Sequence, residues 1–243
     1  MTVTMTMPTA ADYRAAFERE RVNAYPMVDA LEATAGYAID RERLERAAAV
    51  LACPVKTSPP NWQHGRVLYA LTRQYLSDSC ELCWNLLDIG TAKGFSALCL
   101  QWALNDHAGE GTEGVTSVDV IDPLSRVARK TIAEIDGLLT LHETLEPWPE
   151  AEAIRFVGTS GVDWVSAYPY RIHVAFVDGS HKGPTVLQEG RLLAKRQEPG
   201  DLAIFDDVNR PELLAAVELL QPLYTFQILP VLPTRYYAIG VRR

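Results

Sequence analysis

Five aspartates, Asp88, Asp119, Asp178, Asp206 and Asp207, each close a short apolar run. Such runs, bounded by turn residues, read as buried strands, so several strands of one sheet would end in acid. Val-Ala-Phe-Val-Asp178-Gly-Ser-His181 and Ala-Ile-Phe-Asp206-Asp207-Val place three carboxylates at neighbouring strand ends. Three converging acids repel unless a cation stands among them, and oxygen ligands with open positions suit a hard ion such as Mg²⁺. An ion there would hold a substrate hydroxyl, lower its pKa and aim its oxygen. The alternative is plainer: Asp206 and Asp207 cap the next helix while Asp178 lines a pocket. His181 is the residue type that takes a proton near neutral pH, although it could equally hold a neighbouring carboxylate in place.

A second signal precedes these. In Leu-Leu-Asp88-Ile-Gly90-Thr91-Ala-Lys-Gly94-Phe-Ser96-Ala-Leu an apolar strand ends in an acid, turns through two glycines and opens a helix. Glycines let the backbone approach a ligand, and a helix N-terminus offers free N–H groups and a positive dipole end. The spacing is neither the G-x-G-x-x-G of dinucleotide folds nor the Gly-Lys-Ser/Thr of a P-loop. Asp119, at the end of Val-Thr-Ser-Val-Asp, could accept hydrogen bonds from two ribose hydroxyls or cap a turn. Ser160 could line a base pocket or cap the helix after it.

The glycine run resembles the first motif of class I S-adenosylmethionine-dependent methyltransferases, acid-x-Gly-x-x-x-Gly. Its Gly-Phe-Ser-Ala continuation is most similar to the catechol and macrocin O-methyltransferase branches. Ala92 stands where many members carry a middle glycine. The resemblance spans about residues 65–243 and implies a Rossmann-like doubly wound α/β fold of seven strands, mostly parallel with a C-terminal antiparallel hairpin. It implies that S-adenosylmethionine lies over Asp88, Gly90, Thr91, Gly94, Ser96, Asp119, Ser160 and Asp178, with Asp119 on the ribose and Ser160 near the adenine. It also implies Mg²⁺ or another divalent cation on Asp178, Asp206 and Asp207, and Asp178 and His181 as catalytic residues. His181 falls where catechol-type enzymes carry a lysine base.

The elements that position these residues can be read from periodicity. Residues 10–50 show helical spacing, 53–63 are Pro-rich, and 66–76 read as another helix. Thereafter strands at 84–89, 115–120, 154–157, 173–177 and 202–205 alternate with helices at 96–105, 123–135, 162–167, 185–193 and 211–219, which implies parallel pairing. Segments 224–230 and 235–242 read as a closing hairpin. Two units are expected: residues 1–60 as a helical cap with a Pro-rich linker, and 61–243 as the cofactor-binding domain. Asn61, Trp62, Gln63, His64, Arg235, Tyr236 and Tyr237 fall on segments that could overhang a pocket.

Composition narrows the partners. The chain has 243 residues, 48% hydrophobic and 22% charged, with a net charge of −8. That balance argues against a phosphate-backbone binder and favours a small hydroxylated substrate. No apolar stretch approaches a membrane span, and the Thr-rich start lacks a basic, then apolar, leader, so neither membrane nor nucleic acid is an expected partner and the cytoplasm is the expected location. Four scattered cysteines agree with reduced thiols; Cys80-x-x-Cys83 lacks a second pair and precedes a strand. A homodimer through the N-terminal helices is expected from the resemblance. The competing readings are a related tailoring enzyme using the same site, and a non-catalytic S-adenosylmethionine- or nucleotide-binding module.

Overall fold

The computed structural model describes residues 10–52, 61–128, 138–232 and 235–243. Three helices lead: α1 (Ala10–Arg21), α2 (Pro26–Ala35) and α3 (Arg41–Leu51). Pro26 starts α2 and left-handed Gly36 ends it, while Asp40 caps α3 by accepting the Arg43 N–H at 2.8 Å. The chain continues through α4 (Gln63–Asp78), β1 (Leu86–Ile89), α5 (Phe95–Ala108) and β2 (Val115–Asp119). A short antiparallel pair, β3 (Val127–Ala128) and β4 (Leu138–Leu139), precedes α6 (Leu141–Leu145), a 3₁₀ turn and β5 (Arg155–Gly158). Then come α7 (Gly161–Ala167), β6 (Val174–Val177), α8 (Gly183–Leu193), β7 (Leu202–Phe205), α9 (Pro211–Glu218), β8 (Tyr224–Leu232) and β9 (Arg235–Arg242).

The main sheet runs β5-β2-β1-β6-β7-β9-β8. Its first five strands are parallel, and β9 enters antiparallel to β7 and pairs with β8. Strands β1 and β6 are buried along their whole length because helices cover both faces. This is the Rossmann-like seven-stranded arrangement expected from the alternation and the closing hairpin. One apolar cluster joins α4, α5 and one sheet face with Phe17, Leu44 and Leu51 of the N-terminal helices; a second lies under α7, α8 and α9, and a third sets Val28 of α2 against Leu229 and Tyr237 of the closing hairpin. Residues Phe95 to Asn105 of α5 are all buried; the run is mostly apolar, and its Gln101 is held by hydrogen bonds to Asn105 Oδ1 and the Thr112 carbonyl. Gly65 lets α4 press onto it, since a Cβ there would come within 2.8 Å of Cys99 Sγ.

One element differs from expectation. The sequence predicts a helix over 123–135, but residues 123–128 form a turn and strand β3; residues 129–135 lie outside the described residues, as do 53–60 of the Pro-rich stretch. Asp122-Pro123 resembles a helix cap, and the Asp122 carboxylate does accept the Leu124 N–H at 2.7 Å, but the Ser125 N–H bonds to the Asp122 carbonyl at 2.9 Å in a single turn and the chain then enters β3. Among the described residues no helix is long and apolar enough to cross a membrane.

Candidate active site

Register decides which strand ends meet. Ile89 is level with Val118 and Val177, and Val177 with Phe205. The ladder runs one step past the strands: the Gly90 N–H reaches the Val118 carbonyl at 2.9 Å, Asp178 N–H the Ile89 carbonyl at 2.8 Å, and Asp206 N–H the Val177 carbonyl at 3.1 Å. Gly90, Asp178 and Asp206 therefore stand in a row at the carboxyl edge of the sheet, where ligands of open parallel sheets bind.

The loop after β1 needs its glycines. Gly90 has φ 109°, and a Cβ there would lie 2.6 Å from the Asp178 carbonyl oxygen; Gly94 has φ 86° and opens α5 without a side-chain cap. Ala92 holds φ 46° where a glycine would be unstrained, and its N–H donates to Asp119 Oδ2 at 3.0 Å. Beneath the loop Thr91 Oγ1 lies 2.6 Å from Ser117 Oγ, which donates to Asp88 Oδ2 at 2.6 Å. Asp88 is wholly buried, and burial pushes its carboxyl up to about 6 against hydrogen bonds from Ser117 and Ser96. Its Oδ1 has no hydrogen-bond partner among the described residues. Asp88, Thr91 and Ser96 thus anchor the loop from below, with Thr91 and Ser96 also lining the cleft above.

That cleft has a cavity volume of about 130 Å³, smaller than the roughly 300–1,000 Å³ typical of small-molecule sites. Gly90, Ala92, Phe95, Asp178, His64 and Arg235 line it. A smaller pocket across the loop shares Thr91 and Ala92 and adds Asp119, Ile121 and Phe156. Both Asp119 oxygens face backbone donors, Ala92 N–H and Ile121 N–H, each at 3.0 Å. Ser160 caps α7: it accepts the Asp163 N–H at 3.1 Å and donates to the Asp163 carboxylate at 2.6 Å.

The three strand-end acids converge, but not as three equal ligands. Asp206 is buried and both its oxygens are engaged by Arg235, Nε to Oδ1 at 3.2 Å and Nη2 to Oδ2; its Oδ1 also accepts the Asp207 N–H at 2.6 Å. Arg235 Nη1 stands 3.5 Å from Asp207 Oδ1 and Nη2 4.0 Å from Asp178 Oδ2. Asp207 adopts a left-handed φ of 55°, and its other oxygen lies 3.6 Å from His181 Nδ1. The residues whose ligand atoms lie within 4.8 Å of one another are Asp178, His181 and Asp207. Of the expected Asp178–Asp206–Asp207 set, Asp178 and Asp207 thus stand in this compact group with His181, while Asp206 faces the Arg235 guanidinium. Asp178 keeps a face toward the cleft, yet burial raises its carboxyl well above the usual range, with the Asp206 charge adding and Arg235 opposing.

The other candidates divide between packing and the cleft wall, which Asn61 and His64 line. Trp62 is buried and stacks on Phe17 at 4.9 Å, and Asn61 donates to Tyr237 Oη at 2.9 Å. His64 packs flat against Phe176 at 5.8 Å while lining the cleft. Cys80 and Cys83 are exposed free thiols and Cys99 a buried one; Cys53 lies outside the described residues. Sequence reasoning treated Arg235 as a substrate contact and missed its partners. The signal was present in topology: an antiparallel last strand starts where its parallel neighbours end. It also missed Glu189 of α8, a buried acid against Gly161 and Ile89 whose Oε2 is without a partner among the described residues.

Comparison with known proteins agrees with this geometry. No curated protein matches. The O-methyltransferase of Bacillus cereus solved in complex with SAH superposes with a TM-score of 0.56 at 15% identity, covering 96% of this chain and 100% of that one. TomG, a Streptomyces achromogenes O-methyltransferase involved in tomaymycin synthesis and bound to SAM, gives 0.53 at 16% identity, covering 85% and 92%. An rRNA methylase of Streptococcus thermophilus gives 0.50 at 13% identity, covering 71% and 95%. A family model described as a methyltransferase domain matches residues 87–208, half of the chain, from strand β1 past the Asp206–Asp207 pair. The chain belongs to that methyltransferase family, on the class I S-adenosylmethionine-dependent fold.

Proposed function

We propose that the protein is an S-adenosylmethionine-dependent O-methyltransferase acting on a hydroxyl of a small molecule, catechol-like or a sugar or other natural product. The observation that carries this reading is one cleft that joins the glycine loop, the start of α5, Asp178 and Arg235, with His181 and Asp207 beside it. When bound, S-adenosylmethionine supplies an electrophilic methyl; its transfer to oxygen yields S-adenosylhomocysteine, a methyl ether and a proton. Gly90, Gly94 and the uncapped first turn of α5, with Ser96, would hold the charged amino-acid end. Asp119, fixed by two backbone donors, would accept from the ribose. Ser160, engaged as a cap, would meet the adenine through packing.

His181 would accept the hydroxyl proton, and Asp207 beside Nδ1 would stabilise the resulting imidazolium. Asp178 would orient the substrate oxygen toward the methyl. With Arg235 on both Asp206 oxygens, this reading gives the substrate hydroxyl to Asp178 and His181 rather than to a divalent ion. The net charge of −8 favours a small acceptor over a nucleic acid. A homodimer through the N-terminal helices and a cytoplasmic location belong to the same proposal.

Calorimetric titration with S-adenosylmethionine and S-adenosylhomocysteine, followed by product release against a panel of catechols and polyols, tests it. Binding of both with transfer to an oxygen acceptor is the expected outcome. Absence of binding would leave the fold without this activity, and transfer only to nitrogen or to RNA would overturn the acceptor class.

A further inference from the structure

We propose that Arg235 is the resident cation of the strand-end acid cluster, so that Asp178, Asp206 and Asp207 are held together by a guanidinium and the site works without a divalent metal. This rests on the reading above for the substrate hydroxyl, but its evidence is independent of the cofactor. Four observations converge. Arg235 engages Asp206 through two nitrogens and stands 3.5 Å and 4.0 Å from the nearest oxygens of Asp207 and Asp178, so one planar group touches all three acids. A Mg²⁺ ion needs ligand oxygens at about 2.0–2.1 Å in near-octahedral array, and the group whose ligand atoms lie within 4.8 Å of one another holds Asp178, His181 and Asp207 but not Asp206. Both Asp206 oxygens are already engaged, Oδ1 by Arg235 Nε and the Asp207 N–H and Oδ2 by Arg235 Nη2, so the guanidinium neutralises this acid where an ion otherwise would. An ion placed instead among Asp178, His181 and Asp207 would share two carboxylates with a fixed positive charge, which opposes it.

The origin of the arrangement is topological. Phe205 of β7 pairs with Ala238 of β9 in antiparallel register, so the chain entering β9 passes over the carboxyl edge of β7 and brings Arg235 onto Asp206. An arginine fits three acids better than a lysine, since its fork offers donors on two edges at once. Three carboxylates against one guanidinium leave the cluster with surplus negative charge. That surplus serves a reaction whose methyl donor is a cation and whose released proton lands on His181: both positive species are stabilised beside the acids.

The test needs no substrate. Mn²⁺ is titrated into the full-length protein and followed by electron paramagnetic resonance, alone and with S-adenosylhomocysteine present. The wild-type chain is expected to leave Mn²⁺ free at millimolar concentration. Arg235→Met is expected to bind Mn²⁺ about tenfold more tightly or better, the scale of removing one adjacent positive charge, and Asp178→Asn in that background to lose the gain. Stoichiometric Mn²⁺ binding by the wild type, abolished by Asp178→Asn, would overturn the proposal. So would a folded Arg235→Met variant that gains no Mn²⁺ affinity. Should Arg235→Met fail to fold, the wild-type titration decides alone. Failure of S-adenosylhomocysteine to bind in a parallel calorimetric run would count against the transferase reading and leave the Mn²⁺ result standing.

Discussion

Strand β7 carries a buried aspartate–arginine pair at each end, and the two pairs do opposite work. Before the strand, Asp201 accepts from Tyr75 Oη at 2.6 Å, from Arg171 at 2.8 and 2.9 Å, and from the Glu198 N–H at 2.7 Å. Every oxygen of that wholly buried carboxylate is satisfied, and the acids that also reach Arg171, Glu81 and Glu198, are exposed. After the strand, Asp206 meets an equally committed arginine, but Asp178 and Asp207 crowd the same guanidinium. Each guanidinium faces three carboxylates, but the two extra acids at Arg171 lie in solvent, whereas those at Arg235 are half-buried at the edge of a cleft. Buried pairs with complete partners hold a fold together, whereas a crowded, half-buried cluster at a strand end is poised for a ligand.

The largest effect should expose that contrast. Removing one partner of a buried pair costs about 3–5 kcal/mol, so Asp201→Ala is expected to lose about that much in urea unfolding followed by tryptophan fluorescence. At the other end Asp178→Asn removes an acid from a repelling group, and its unfolding midpoint is expected to stay level or rise while methyl transfer is lost. Equal destabilisation by the two variants would erase the distinction between the ends.

Asp119→Ala comes next. Its carboxylate fixes the loop through Ala92 and, in the proposed complex, accepts from the ribose. Losing hydrogen bonds to a charged group costs about 1.5–3 kcal/mol, hence roughly a ten- to hundredfold weaker S-adenosylhomocysteine affinity by calorimetry. Unchanged affinity would confine Asp119 to the turn.

Glu189 offers a third probe, inside the core rather than at either edge. Burial raises its carboxyl to about 7. Because the folded value exceeds the unfolded one, the penalty is absent below about 4.5, grows as pH rises and is complete above 7. Glu189→Gln is therefore expected to gain about 1–3 kcal/mol at pH 8, a tenfold change in acidity being worth about 1.4 kcal/mol, and little at pH 4.5. A gain independent of pH would mean that Glu189 is stabilised by something other than its neutral form.

How much of this was legible in the sequence follows from what each feature depends on. Strand ends and the glycine turn are local: Leu86–Ile89 reads as a buried strand, and Gly90 and Gly94 mark two of the turn's three positive-φ positions, Ala92 being the one that its residue type hides. The Asp206–Arg235 pair spans 29 residues in sequence and depends on strand direction, which no local pattern encodes. Adjacent Asp206 and Asp207 look equivalent on paper, but the positive φ of Asp207 turns its carboxylate toward His181 while Asp206 remains with Arg235. Likewise Asp122-Pro123 satisfies the rule for a helix start, down to the Leu124 N–H bond to the Asp122 carboxylate, yet the chain turns into β3.

Ala92 gives the smallest and cleanest test. Among the described residues it and Asp207 are the non-glycine positions with positive φ, one on each side of the candidate reaction centre. A left-handed conformation costs an alanine about 1–2 kcal/mol, and here the Asp119 carboxylate holds it by taking the Ala92 N–H. Ala92→Gly removes the strain but also frees the unfolded chain, which returns roughly 0.5–1 kcal/mol. The net gain expected in unfolding free energy is about 1 kcal/mol or less. Combining it with Asp119→Ala separates the two roles of that carboxylate: if Asp119 serves chiefly to pin a strained loop, glycine at 92 restores most of the lost cofactor affinity. If Asp119 binds the ribose, the double variant remains as weak as Asp119→Ala alone, because a relaxed loop cannot replace an acceptor.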